Sequence, residues 1–372
     1  MAGHKRNGKN IMIYNSLVKP LLFRLDAEQA HEATMNFART ATKSSFFKAL
    51  AKLIYNYQSP KLNQQIWGLD FKNPLGLAAG FDKNGEIPEI MEAIGFGFVE
   101  VGSITGNPNT GNPKPRMFRL TRDRALINRM GLNNDGAKTI VKRLKNKEFS
   151  IPLGINIAKT HDPKIMGDEA IDDYVHSFVE AKSVADYITV NISCPNTEEG
   201  KTFEDPVALD ELLEALKIRD DARVVPTVIK LSCDLNRDKL LELLDICEKH
   251  SVHGYVACNT SSGREGLQTD KSVLNKIGRG GLSGRPIAEK TIQMIGWISE
   301  ETNGQKPIIG VGGIDSFATA LKMLLAGADL LQMYTGLVYE GPGLVKSINR
   351  QLLDQLDELN IKSIHQLVNA CT

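Results

Sequence analysis

Residues Asn73–Glu86 read NPLGLAAGFDKNGE. A short apolar run, Leu75–Ala78, gives way to small residues and then to a polar turn that carries Lys83. A strand buried on both faces, ending in a ligand-facing loop, has this pattern. The pattern recurs down the chain. Further candidate strands are Phe98–Val101, Leu153–Ile157, Tyr187–Ile192, Val228–Leu231, Gly254–Cys258, Pro307–Val311 and Leu330–Met333. Helical patterns fall between them, such as Asp168–Val184, Asp234–His250 and Ser316–Ala326. Strands alternating with helices predict βαβ units and a parallel sheet. Eight such units closed on themselves make a (β/α)8 barrel; an open doubly wound sheet is the competing architecture. The barrel is preferred because polar residues and glycines gather after nearly every strand, as a ring of active-site loops requires. The expected fold class is α/β, a (β/α)8 TIM barrel over residues 58–372 with an N-terminal helical extension.

The chain has 372 residues, 42% hydrophobic and 24% charged, enough for one large core. Its net charge of +1 advertises no nucleic-acid surface. The five cysteines are odd in number and none forms a CxxC pair, which argues against a disulfide framework and a structural zinc site. No metal is expected. No apolar run reaches the ~18 residues of a membrane span, and no signal-peptide pattern opens the chain.

Residues 1–10 read as a disordered tail, and 11–57 as helices without a strand. Leu17, Val18, Leu21, Leu22 and Leu25 form one helical stripe. Asp26 can cap a second helix, with Gln29 three residues on. On that helix Ala27, Ala30, Thr34, Phe37 and Ala38 are expected to share a face, and Phe46, Phe47, Leu50, Leu53 and Ile54 mark a third helix. Two readings stand: a helical cap on the barrel end, or an amphipathic pair that dips into a membrane surface and admits an apolar molecule.

The segments after the strands hold the chemistry. Ala78, Ala79 and Gly80 let a ligand lie against the backbone, and Lys83 puts a cation at the barrel mouth. Ser103, Asn128, Asn133, Asn134, Asn156, Asn191, Asn196, Thr197, Asn259 and Thr260 supply amides and hydroxyls. Alone, each is a turn former. Together they can hold a flat ring of alternating C=O and N–H groups. Lys83 and Lys230 favour an anion, and GVGG (Gly310–Gly313) with Tyr334 and Thr335 stand where barrels bind phosphate. A phosphorylated cofactor plus a small planar anion follows, and Lys230 beside a flavin would stabilise its reduced, anionic ring. Cys194 follows a strand, precedes Pro195 and is flanked by amides. Packing is the common fate of a buried cysteine. Here a proton acceptor is favoured, the thiol having an ordinary pKa near ~8.5.

These residues also carry a likeness. NPLGLAAGFDKNGE, FGFVEVGSITGNPNTGNPKPRMFRL, INRMGLNN, NISCPNT, GGLSGRP, PIIGVGGI and LLQMYTG resemble the dihydroorotate dehydrogenase family over nearly the whole chain. The resemblance implies an FMN-containing barrel that oxidises dihydroorotate to orotate in pyrimidine biosynthesis. LLFRLDAEQAHEA (Leu21–Ala33) resembles the helical extension of the quinone-reducing, membrane-associated class. That class implies a quinone tunnel near His31 and Arg119, peripheral attachment to the cytoplasmic face of the cell membrane or to the inner mitochondrial membrane, and a monomer. For His31 the bland alternative is a surface histidine; for Arg119 it is a salt bridge under the cap. The family pattern gives substrate contacts to Lys83, Asn128, Arg129, Met130, Gly131, Leu132, Asn191, Asn196, Asn259 and Thr260. FMN contacts fall on Ala79, Gly80, Lys83, Ser103, Asn156, Asn191, Lys230, Cys258, Gly284, Gly313, Tyr334 and Thr335. Cys194 stands where the quinone class has a serine base, and Leu132 where it has phenylalanine; both are habits of the soluble class. Cys258 and Ser103 replace threonines and Ala158 a glycine. A soluble-type enzyme using fumarate or NAD, or a flavin-binding docking protein without turnover, are the rival readings.

Overall fold

The computed structural model describes residues 14–193, 202–218 and 225–371. The expected tail, 1–10, lies outside them. Eight parallel strands close a barrel: β1 (Leu75–Leu77), β2 (Phe98–Ile104), β3 (Leu153–Ile157), β4 (Tyr187–Asn191), β5 (Thr227–Leu231), β6 (Gly254–Ala257), β7 (Ile308–Val311) and β8 (Leu330–Met333). Each pairs with its neighbours in sequence, and β8 closes on β1 through Leu331 opposite Leu75. All eight runs expected from the sequence are strands. Each is buried along nearly its whole length, so its residues are mostly apolar rather than alternating.

The interior is filled by large side chains set against glycines. A methyl group on Gly76 would lie 2.3 Å from the Phe98 ring, and one on Gly154 2.2 Å from that of Tyr187. An antiparallel ribbon, Gln64–Ile66 with Leu69–Phe71, closes the end of the barrel where the strands begin. Its Phe71 meets Phe98 edge to face at 5.3 Å, and Trp67 donates its indole N–H to the His253 carbonyl at 2.9 Å.

A carboxylate sits inside this barrel. Glu100 of β2 has no exposed surface. Its carboxylate accepts hydrogen bonds from Asn156 Nδ2 (2.8 Å), Tyr187 Oη (3.0 Å), Thr189 Oγ1 (3.0 Å) and Gln332 Nε2 (2.7 Å), which come from β3, β4 and β8. A buried carboxylate survives only when its lone pairs are satisfied in this way.

Over the open end lies a three-stranded antiparallel sheet of Met117–Leu120, Ala125–Asn128 and Gly281–Gly284, which the sequence reading did not anticipate. It has its own small core of Leu120, Ala125, Ile127, Leu282 and Ile287.

The N-terminal segment is helical, as expected: a π-helical turn at Tyr14–Val18, then α1 (Lys19–Leu22), α2 (Ala27–Thr42) and α3 (Ser45–Tyr55). Asp26 caps α2 by accepting from Gln29 N at 2.8 Å. The buried stripe of α2 is Ala27, Ala30, Met35, Ala38 and Ala41. Phe37, expected on that face, points outward and is 66% exposed. None of the residues of α3 is buried. Of fourteen exposed large hydrophobics among the described residues, nine fall between Leu17 and Leu53, so they form one region rather than a scatter.

Replacing Glu100 with alanine leaves four donors from three strands without their acceptor. Glu100→Ala is expected to lower unfolding stability by about 3 kcal/mol or more, read as a lowered denaturant midpoint at unchanged slope. A change below about 0.5 kcal/mol would mean that the network carries no stability.

Candidate active site

A cleft of about 1160 Å³, counted out to open solvent, opens where the strands end. Its floor includes Lys230 from β5, Gln332 from β8 and Ala79 and Gly80 after β1. Ser103 and Asn191 reach in from β2 and β4, and Cys258, Asn259 and Thr260 follow β6. The outer wall comes from the antiparallel sheet and the loop after it: Met117, Leu126, Asn128, Met130, Gly131 and Leu132. Gly284, Gly313, Tyr334 and Thr335 close the far side, with Lys83 at the mouth.

The amides form one connected chain from the barrel interior. Asn156 donates to Glu100, and the Ser103 hydroxyl donates to Asn156 Oδ1. Asn191 Nδ2 donates to Ser103 Oγ at 3.3 Å, and Asn259 Nδ2 to Asn191 Oδ1 at 3.2 Å and to the Ser193 carbonyl at 2.8 Å. Asn156 is fully buried and outside the cleft wall, so it acts here through Ser103. Ser193 is the last described residue before 194–201. The expected base Cys194, with Asn196 and Thr197, lies outside the described residues.

Two lysines face the cleft without partners. Neither Lys230 Nζ nor Lys83 Nζ makes a hydrogen bond or ion pair among the described residues. Burial lowers the pKa of Lys230, opposed by the Glu100 carboxylate. Burial also lowers that of Lys83, to about 8, helped by the Arg116 guanidinium and opposed by Glu28, Asp82 and Glu32. Both ammonium groups therefore lack an anion.

The cleft suits a phosphorylated planar ring. Gln332 holds its Nε2 toward Glu100, leaving a buried Oε1 with no hydrogen-bond partner, an acceptor for a ring N–H. Gly313 has a φ of 86°, and a methyl group there would come 2.5 Å from Ala288 Cβ. Gly284 has a φ of 97°, and its methyl group would come 2.5 Å from the Arg124 carbonyl. Beside these bare backbones the Ser283 and Thr335 hydroxyls stand 2.9 Å apart. Cations, free backbone and hydroxyls make a fitting donor set for a phosphate.

Other expected residues sit just outside the wall. His31 of α2 stacks on Tyr334 (6.2 Å, 19° between planes) and meets Phe81 edge to face at 5.2 Å. Burial and then the Lys83 charge push its pKa down to about 3, so the ring is neutral. Arg119 pairs with no acid among the described residues; it donates to the Leu22 and Leu25 carbonyls and stacks on Phe23. Arg129 turns its guanidinium to the carbonyls of Ile277, Arg279 and Pro115, away from the cleft. Leu132 lines the cleft with its backbone in the left-handed region (φ 52°), its carbonyl held by Asn134 Nδ2 at 2.7 Å.

Gln332, Met117 and Leu126 had no role in the sequence reading. Gln332 was legible as a lone amide inside the apolar run LLQM. The other two depend on a hairpin whose turn, Thr121–Arg124, looks like charged surface.

Comparison with known proteins agrees with this architecture. The family model for dihydroorotate dehydrogenase matches residues 61–356. A protein of Christiangramia forsetii named dihydroorotate dehydrogenase (quinone) is 39% identical over 345 residues, 92% of this chain and 99% of its own. One of Gloeobacter violaceus with the same name is 40% identical, covering 94% of this chain and 97% of its own. The crystal structure of Eimeria tenella DHODH in complex with ferulenol superposes with a TM-score of 0.81 at 31% identity, covering 93% of this chain and 97% of that one. By family model, sequence and fold alike, the chain belongs to the dihydroorotate dehydrogenase family.

Proposed function

We propose that this protein oxidises dihydroorotate to orotate in pyrimidine biosynthesis and delivers the electrons to a quinone. The observation that carries the reading is the cleft itself: two unpaired lysines, a connected run of amides and a phosphate-compatible glycine cradle at the mouth of one barrel. The quinone-dependent names of relatives matching over nine-tenths of the chain support the acceptor.

FMN, when bound in this cleft, would supply the two-electron acceptor for the hydride leaving substrate C6. Lys230, Gln332 and Ser103 would hold its ring system, and Gly284, Gly313 and Thr335 its phosphate. Lys83 binds the substrate carboxylate. Asn128, Asn191, Asn259 and Thr260 present donors and acceptors to the ring, assisted by Asn196. Cys194 takes the C5 proton on Sγ. A thiol is far more acidic than the hydroxyl usual at this position, so the base becomes available at lower pH. The Met130–Leu132 backbone covers the substrate and excludes water.

The helices α1–α3 present the exposed apolar region, and no helix among the described residues is long and apolar enough to cross a membrane. We read them as a peripheral membrane attachment through which quinone approaches beside His31 and Tyr334. Exposed Arg24 and Lys43 in the turns between these helices and Lys52 on α3 suit an anionic lipid surface.

Anaerobic addition of dihydroorotate to the flavin-loaded protein is expected to bleach the flavin absorbance and yield orotate in equal amount. An unchanged spectrum would overturn the substrate assignment. Cys194→Ala is expected to keep its yellow flavin and lose the bleaching step by about 100-fold or more; loss of the flavin instead would make the residue structural.

The Lys83 charge gives a pH dependence of definite sign. The ammonium is present below about 8 and lost above it. Orotate affinity is therefore expected to be flat at neutral pH and to fall as pH rises through about 8. Lys83→Gln should bind weakly at every pH, with that step gone. A wild-type affinity flat across the range would show that Lys83 does not bind the carboxylate.

A further inference from the structure

Helix α2 contributes more to the cleft than a path for an apolar molecule. Its first turn carries Glu28, which is 6% exposed. Arg116, 7% exposed, donates Nε and Nη2 to Glu28 Oε1 at 3.0 and 2.8 Å. The remaining nitrogen, Nη1, donates to the carbonyls of Thr110 (2.7 Å), Asn112 (3.0 Å) and Met130 (3.5 Å). These carbonyls belong to two loops that lean on each other, Asn112 N donating to Met130 O at 3.0 Å. The approach is tight: a methyl group on Gly111 would lie 2.2 Å from the Met130 carbonyl. Met130, Gly131 and Leu132 line the cleft. Beside Glu28, Ala27 packs on Met117 and Met130, both also in the cleft wall.

A guanidinium buried this deeply is held in place by its carboxylate; without it, Arg116 would be an unpaired buried charge. The other oxygen of Glu28, Oε2, is buried and has no hydrogen-bond partner among the described residues, so its charge is poorly screened. Lys83, at the cleft mouth, faces Glu28 and Glu32 of α2, Arg116 of the outer sheet and Asp82 of its own loop. The neutral His31 ring lies on the same helix. Lys114, outside, pairs with Glu32 at 2.8 Å and approaches Glu28 at 3.5 Å.

The geometry points to Glu28 as a positioning residue for the substrate: through Arg116 it fixes the 110–112 and 129–132 loops over the cleft, and it makes dihydroorotate binding depend on the docking of α2. This rests on the dihydroorotate reading of the cleft. The membrane-facing helix and the substrate loop then behave as one unit. Displacing α2 releases Arg116, loosens the wall at Met130 and removes an anion from around Lys83.

The test measures orotate affinity of the full-length, flavin-loaded protein from the perturbation of its flavin spectrum, across pH from about 6 to 9. Glu28→Gln is expected to weaken orotate binding about tenfold. Its loss of affinity with rising pH should begin at lower pH than in the wild type, because Lys83 has lost a neighbouring anion. Flavin content and the rate at which dithionite-reduced flavin is reoxidised by a short-chain quinone should stay unchanged. Glu32→Gln, on the exposed side of the same helix and without a contact to Arg116, should keep wild-type orotate affinity at neutral pH and shift the pH profile less than Glu28→Gln, since Glu32 is the weaker of the two anions around Lys83. An unchanged orotate affinity and pH profile in Glu28→Gln would overturn the inference, as would an equal fall in the quinone step, which marks general damage. Should Glu28→Gln fail to fold, Glu28→Asp, which keeps the charge but withdraws it by one methylene, must show the same selective loss in smaller size; its absence overturns the inference. A wild-type protein that does not respond to orotate at all would sink the dihydroorotate reading instead.

Discussion

A single carboxylate at the centre of the barrel organises what surrounds it. Glu100 is fully buried, and the cost of desolvating it is offset only by the four donors that converge on it. Those donors fix Tyr187, Thr189, Gln332 and Asn156 in place. Asn156 in turn receives Ser103, Ser103 receives Asn191, and Asn191 receives Asn259. The polar groups of the cleft are thus the upper end of a network anchored in the core. Lys230 stands in the same interior with opposite sign and, among the described residues, without a hydrogen-bond or ion-pair partner for its Nζ. The barrel is built to hold one more group between them.

The eight strands were legible because a parallel barrel leaves a strong trace: unbroken apolar runs, each ending in glycines and amides. The ring of cleft residues was legible for the same reason, since strand ends are the only place where such a fold can present polar groups to a ligand. Glu100 was not, because inside FVEVG it reads as one charge in a strand, and only the closed barrel brings Tyr187, Thr189 and Gln332 to it. The outer sheet was hidden by sequence distance: its third strand, Gly281–Gly284, lies far from Met117–Asn128. Helical spacing puts Phe37 beside Ala30 and Ala38, yet the buried stripe runs through Met35 and the alanines and Phe37 stays exposed. The resemblance gives Arg129 and Arg119 places at the site; what the sequence did not show is that their guanidinium groups donate to backbone carbonyls of neighbouring loops.

The N-terminal helices reconcile the two readings the sequence left open. On one side α2 is a cap, docked through Glu28 to Arg116 and through Arg39 to Glu86 at 2.6 Å. On the other, Phe37, Phe46 and Leu53 present an apolar surface that no part of the described chain covers. The pair α2 and α3 therefore looks toward the cleft on one side and toward the surroundings on the other, with His31 of α2 stacked on Tyr334 of the cleft wall. That placement is what the proposed quinone approach requires.

The measurement that bears most directly on this account is the oxidative half of the cycle. The full-length protein, reduced anaerobically, is mixed separately with a short-chain quinone, fumarate and NAD, and recovery of the flavin absorbance is followed. Fast recovery with quinone and none on that timescale with the other two is the predicted result. Fast recovery with fumarate or NAD and sluggish recovery with quinone would contradict it, and would mean that Cys194 and Leu132, rather than the helices, indicate the acceptor.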